Sequence, residues 1–247
     1  MKLNALRVAA ISLPMVICSV AAADLLGTAH GFAVLGGSTV TNTGPTVITG
    51  DVGVAPGSAV TGFPPGVFTG VLHAADAVAA QAQLDAGTAY TTLATMAVTQ
   101  TLTGTDLGGL TLTPGTYFFA SSAFLTGTLT LDAQGDPDAL FVFQIGTAFT
   151  AASSSAVIGI NGADGCNIYW QVGSSATLGT DSALQGNFIA TASITLDHGA
   201  SLVEGRAIAL NGAVTMDDNV ITAGCIPTPG ATGLMGVAAL VVGRRRR

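Results

Sequence analysis

Basic residues are almost missing from the interior of this chain. Of seven Lys and Arg in 247 residues, six sit near the ends: Lys2, Arg7 and Arg244 to Arg247. The stretch from Asp24 to Cys225 keeps Arg206 alone against fourteen acids, a formal net charge of −13. That excludes nucleic acid as a partner, because phosphate binding relies on clustered Lys and Arg. Phosphoryl transfer and anion binding are disfavoured for the same reason. Histidine is scarce too: His30, His73 and His198 are scattered, and no Gly-x-Ser-x-Gly nucleophile elbow occurs. No cofactor is expected, and no enzyme.

Cysteine is limited to three residues. Cys18 falls in the leading apolar run, and "MVICS" lacks the small residue that a lipoprotein box places before its Cys. Cys166 and Cys225 remain, an even pair that reads as a disulfide in an oxidising compartment. It would close a loop of about 60 residues, worth about 4 kcal/mol on the loop-entropy model. No Cys or His pair stands at zinc spacing, so no metal site is expected. Asp132, Asp136 and Asp138 crowd one turn, "LDAQGDPDALF". Paired carboxylates serve glycosidases and oxygen-rich loops hold calcium. Neither the EF-hand spacing nor the Gly-Gly-x-Gly-x-Asp nonapeptide is present, so turn chemistry is the reading.

The two ends read as addresses. Lys2 and Arg7, the apolar run Val8 to Val20 and Ala21-Ala22-Ala23 form a signal peptide over 1–23. The tail 226–247 places a Pro/Gly spacer before an apolar run and four arginines. It resembles bacterial C-terminal sorting tags of the Pro-Glu-Pro type, with Pro227-Thr228-Pro229-Gly230 in place of that motif. Export and surface attachment through this tail, with the tail as a possible membrane contact, are therefore expected.

What is abundant is Gly (33 residues) and apolar side chains (49%), which favour a β-rich folded domain over disorder. From Leu140 the chain divides into four lengths of 19 to 21 residues, beginning "LFVFQIG", "NIYWQVG", "NFIATAS" and "RAIALNG". Each holds an opening apolar strand, a small-residue corner, a second short strand centred on Thr, a polar corner and a third short strand. Three strands per turn describe one rung of a triangular β-solenoid. The opening strands are apolar at successive positions, as in strands covered on both faces. The cover is the Ala-rich segment from about His73 to Met96, a helix that includes Ala74, Val78, Leu84 and Ala86 among its small or apolar positions. Residues 53–72 are expected to cap one open end.

The second strands differ. Thr150, Thr177, Thr195 and Thr215 each stand between two apolar residues. Alternation along a strand sends the neighbours inward and the Thr outward, so stacked rungs form an outward file spaced by about 4.8 Å. Thr128 and Thr130 alternate with Leu129 and Leu131, and Thr39, Thr41 and Thr43 precede the Gly44-Pro45 turn. A β-branched side chain with few rotamers fixes a methyl and a hydroxyl in place. Such a file can hold first-shell water in a regular array, ordered by methyls and anchored by hydroxyls.

Four stretches, "FAVLGGSTVTNTGPTVITGDVGVAPG", "LTPGTYFFASSAFLTGTLTLDAQGDPDALFVFQIG", "CNIYWQVGSSATLGT" and "RAIALNGAVTMDDNVIT", resemble the microbial ice-binding protein family. The resemblance spans about residues 30 to 222. It implies an irregular right-handed β-solenoid over 24–225 with one long helix alongside, and a monomer that adsorbs ice through a flat uncovered face. A Thr-Ala/Gly-x-Thr/Asn pattern reported in some members occurs at Thr43 to Thr46 and at Thr147 to Thr150. The ice-contacting residues expected on these grounds are Thr39, Thr41, Thr43, Thr46, Thr128, Thr130, Thr147, Thr150, Thr177, Thr195 and Thr215, with ordered water or ice as partner. A surface adhesion domain on the same scaffold, without ice activity, is the alternative.

Overall fold

The computed structural model describes residues 25–224. The segment 1–23 expected as a signal peptide, the tail 226–247 and Cys225 lie outside them. Cys166 is disulfide-bonded. The described chain is a β-solenoid of parallel strands with one long helix, Ala77–Ala94, along one side. Its rungs do not follow chain order. The first two, built from strands between Phe32–Gly36 and Val67–Phe68, stack on the last rung of the chain: Val34 pairs with Ala207, Thr41 with Thr215 and Val47 with Val220. The chain then passes through the helix and starts a new stack at Gln100–Thr101, whose successive rungs close back on the N-terminal pair.

Three faces result. On the first, successive rungs contribute Gly115–Phe119, Phe141–Ile145, Ile168–Val172, the second halves of Ala183–Ala190 and Ser201–Ala209, then Phe32–Gly36 and Asp51–Val54. Several of these strands are buried at every position, because inward side chains meet the core and outward ones meet the helix. Val142, Tyr169, Ile189, Ile208 and Leu35 pack outward against Ala79, Ala82, Ala86, Ala89 and Leu93. The 3-4-3-4 spacing of those helix residues makes one apolar stripe, and alanine lets the helix lie close to the sheet. Gln144, buried beneath the helix end, donates from Nε2 to the carbonyls of Leu93 (2.7 Å) and Met96 (3.0 Å).

The helix departs from expectation at its start. Asp76 is the N-cap, accepting from the Ala79 N–H at 2.8 Å, so His73 and Ala74 belong instead to the strand Leu72–Ala74. Val78 and Leu84 point to solvent, at 49% and 67% exposure, since they fall off the buried stripe. Residues 53–72, expected as a cap, contain strand residues paired to neighbouring rungs at Val54, Ala59–Thr61 and Val67–Phe68. They complete the end rung.

Inside, an aromatic ladder runs through the middle rungs. Phe143 stacks on Trp170 with centroids 4.0 Å apart, Trp170 on Phe188 at 5.1 Å, and Tyr117 on Phe143 at 5.5 Å. Parallel in-register pairing places the same strand position at each level, so rings fall face over face. The Trp170 indole N–H donates to the Gln185 carbonyl at 3.0 Å, so the ladder's indole is buried with its donor paired. Arg206, the interior's single cation, is buried where the two halves of the stack meet. It donates to His30 O, Asn187 Oδ1 and Gly224 O at 2.8 to 2.9 Å, joining the first described residues, a middle rung and the last residue described.

Candidate functional site: the threonine face

The second face is a separate seven-stranded sheet: Ala123–Leu125, Phe149–Ala151, Ala176–Leu178, Ile194–Leu196, Val214–Met216, Thr39–Asn42 and Ala59–Thr61. Register is unbroken. Phe124 pairs with Thr150, Thr150 with Thr177, Thr177 with Thr195, Thr195 with Thr215, Thr215 with Thr41, and Thr41 with Thr61. Each central residue stands between neighbours that point into the core. Six threonines therefore form one outward file, about 24 Å long at strand spacing. The hydroxyls of Thr41 and Thr215 lie 3.3 Å apart.

Beside the file runs a shelf of small residues two positions earlier on each strand: Ser122, Ala148, Ser175, Ser193, Ala213, Thr39 and Ala59. Backbone bonds from Phe149 to Ser175, Ala176 to Ser193 and Ile194 to Ala213 keep it level with the file. No outward residue of the seven strands is charged. Charge appears at the rim, where His198 lies 3.3 Å from Asp217 and 3.9 Å from Asp218. The file ends at Phe124, 53% exposed, beyond which Asp106 bridges to the same strand. Burial pushes the Asp106 carboxyl up, but the N–H groups of Gly108 and Thr126 donate to it and hold it below its usual range.

Not every expected threonine joins this surface. Thr39, Thr41, Thr150, Thr177, Thr195 and Thr215 lie on it. Thr43 and Thr147 occupy its corners, where Thr147 Oγ1 meets Ser122 Oγ at 2.9 Å and Thr43 Oγ1 donates to Met216 O at 3.3 Å. Thr46 is fully buried. Its hydroxyl bonds Asn42 Oδ1 and accepts from the Asn219 N–H, holding the corner after Pro45 together from within. Thr128 and Thr130 belong to the strand Thr128–Asp132 on the third face, paired with Ala156–Ile160. The Thr-Ala/Gly-x-Thr pattern misleads at Thr43 to Thr46 because a corner intervenes, and the similar Thr88 to Thr91 lies on the helix.

Residues 34–222 match the family model described as Ice-binding-like. The chain belongs to the Ice-binding-like family. An ice-binding protein of Nostoc sp. (strain HG1) is 57% identical over 209 residues, covering 85% of this chain and 77% of that protein. Among solved structures, an ice-binding protein from an Antarctic biological consortium is 51% identical with a TM-score of 0.77, over 80% of this chain and 89% of that one. An ice-binding protein from the Antarctic ascomycete Antarctomyces psychrotrophicus is 43% identical, also with a TM-score of 0.77, over 80% and 97%. These structural neighbours and the parallel three-faced stack agree on the solenoid with its accompanying helix.

Sequence reasoning missed Thr61 and the Ser/Ala shelf. The signal for Thr61 is "AVT" at 59–61 following the "TVT" of 39–41 by 20 residues, the rung period. Among the described residues no group of three or more His, Cys, Asp or Glu is placed to hold a metal ion. No helix among them is long and apolar enough to cross a membrane.

Proposed function

We propose that this protein binds ice, adsorbing through the six-threonine file and the small-residue shelf beside it. The observation that carries the reading is the unbroken register of the threonine sheet. A rigid scaffold holds each Thr at one height, so hydroxyls and methyls repeat along a line without motion to average them. Side-chain entropy lost on adsorption is small, because β-branched Thr has little rotamer freedom and Ala has none. Water over such a surface is held by hydroxyl hydrogen bonds and confined by methyls. Charged side chains, which hold water in other orientations, stand only at the rim. The names of its relatives, each an ice-binding protein, support the same ligand.

The mechanism is adsorption without chemical turnover, and the protein acts as a monomer that needs no cofactor. Export through the segment 1–23 and attachment or sorting through 226–247 place it outside the cytoplasm, where Cys166 pairs with Cys225. The direct test is thermal hysteresis and ice recrystallisation inhibition by the full chain. Faceted ice and a hysteresis gap are expected; round crystals and unrestrained coarsening at micromolar protein contradict the proposal.

A further inference from the structure

The third face of the solenoid is also open, and its ladder runs the length of the stack, narrowing to the single pair Ala156–Ala183 between the strands Ala156–Ile160 and Ala183–Ala190. Its outer column runs Thr128, Ala156, Ala183, Ser201, Val220, Val47 and Val67, each residue paired to the next. A second column, two positions on, holds Thr130 and Ile158 at one end and Val203, Thr222 and Thr49 at the other. Three widely separated triplets of the same kind, Val47-Ile48-Thr49, Val67-Phe68-Thr69 and Val220-Ile221-Thr222, come to lie side by side. Val47, Val67 and Val220 stay 44%, 54% and 49% exposed.

We infer that this third face is a second ice-contacting surface, a proposal that rests on the ice-binding reading above. Its columns repeat the chemistry of the first face: branched methyls and Thr hydroxyls on a rigid parallel ladder, with no charge in either column. Asp132 and Glu204 stand at its margins, and Gln185 is its one long side chain. A protein partner would be met by aromatic, Met or Arg anchors at the centre of the patch, and these columns contain none. The two open faces belong to different sides of one triangular stack, so they meet the ice lattice in different orientations. The third face therefore gives the protein access to a set of ice planes that the threonine face does not take.

Ice-plane affinity of fluorescently labelled full chain on a single-crystal hemisphere tests this. Three variants are compared with wild type: Thr177→Tyr with Thr195→Tyr, Val47→Lys with Val220→Lys, and all four together. Circular dichroism confirms folding; Thr49→Tyr with Thr222→Tyr replaces the Lys pair if that pair does not fold. The expected result is that each pair loses its own set of planes and the quadruple variant labels none. A third-face variant with wild-type planes and hysteresis overturns the inference and leaves the first face's role intact. So does loss of all labelling in the threonine-face pair alone. Sedimentation equilibrium covers another occupant: a shift from dimer to monomer in the third-face variant, with planes unchanged, assigns that face to a second copy and overturns the inference. Wild-type protein that labels no plane overturns the ice-binding reading itself.

Discussion

Thr46 and Thr61 show how one residue type takes opposite roles. Thr46 is buried and spends its hydroxyl on Asn42 and Asn219. Thr61 is exposed at the end of the file, opposite Thr41. Thr61→Tyr is expected to lower thermal hysteresis partially while changing stability by no more than about 0.5 kcal/mol, as for an exposed substitution. Thr46→Val should do the reverse. It leaves the Asn219 N–H and Asn42 Oδ1 short of a partner, costing about 2 kcal/mol, with hysteresis retained at temperatures where the protein is folded. Denaturant unfolding and nanolitre osmometry on the two variants check both.

At the level of elements, much of the plan was legible before the structure. Three short strands per rung, the covered opening strand and the outward Thr of "FTA", "ATL", "ITL" and "VTM" all follow from side-chain alternation and a period near 20. Stacking order was not legible, because rungs separated by about 170 positions pair only once the helix has carried the chain back along the solenoid. Nor was the face to which Thr128 and Thr130 belong: alternation distinguishes in from out, and it does not tell one outward face from another. The buried face of the helix was not legible either, because its stripe is four alanines and Leu93, while the comparably apolar Val78 and Leu84 face water.

The helix is also where pH enters. A backbone hydrogen bond from Ala79, with a contribution from His73, holds the Asp76 carboxyl below its usual range. Hydrogen bonds from the Thr28 hydroxyl and N–H, and from Gln81, do the same for Asp85, which ties the helix to the 3-10 turn Gly27–Gly31. A depressed folded pKa gives stability that is complete above the unfolded value of about 3.9 and is lost as pH falls through the lower folded value. The melting temperature is therefore expected to stay level from neutral pH to about pH 5 with respect to these two groups, then fall. Asp85→Asn should show a lower plateau and a shallower acid decline in a calorimetric pH series.

For the molecule as a whole, the seam between the two halves of the stack decides whether the face exists. Four of the six file threonines, Thr150, Thr177, Thr195 and Thr215, lie in rungs after the helix, and Thr41 and Thr61 in rungs before it. Thr215 meets Thr41 across the join. Arg206 fastens that join from within, so Arg206→Met is expected to destabilise the fold by about 3 kcal/mol through the buried carbonyls and amide it leaves unpaired. Urea unfolding measures the loss. Ice activity should disappear with the folded state, as one cooperative transition.

The central claim is that the threonine file carries adsorption to ice. Thermal hysteresis of the variant carrying Thr177→Tyr and Thr195→Tyr, measured beside wild type at equal concentration and with its fold verified, tests it most directly. Two rings raised from the middle of the file hold the plane away from the lattice, and most of the hysteresis gap should vanish. A folded variant with the full wild-type gap would contradict the account.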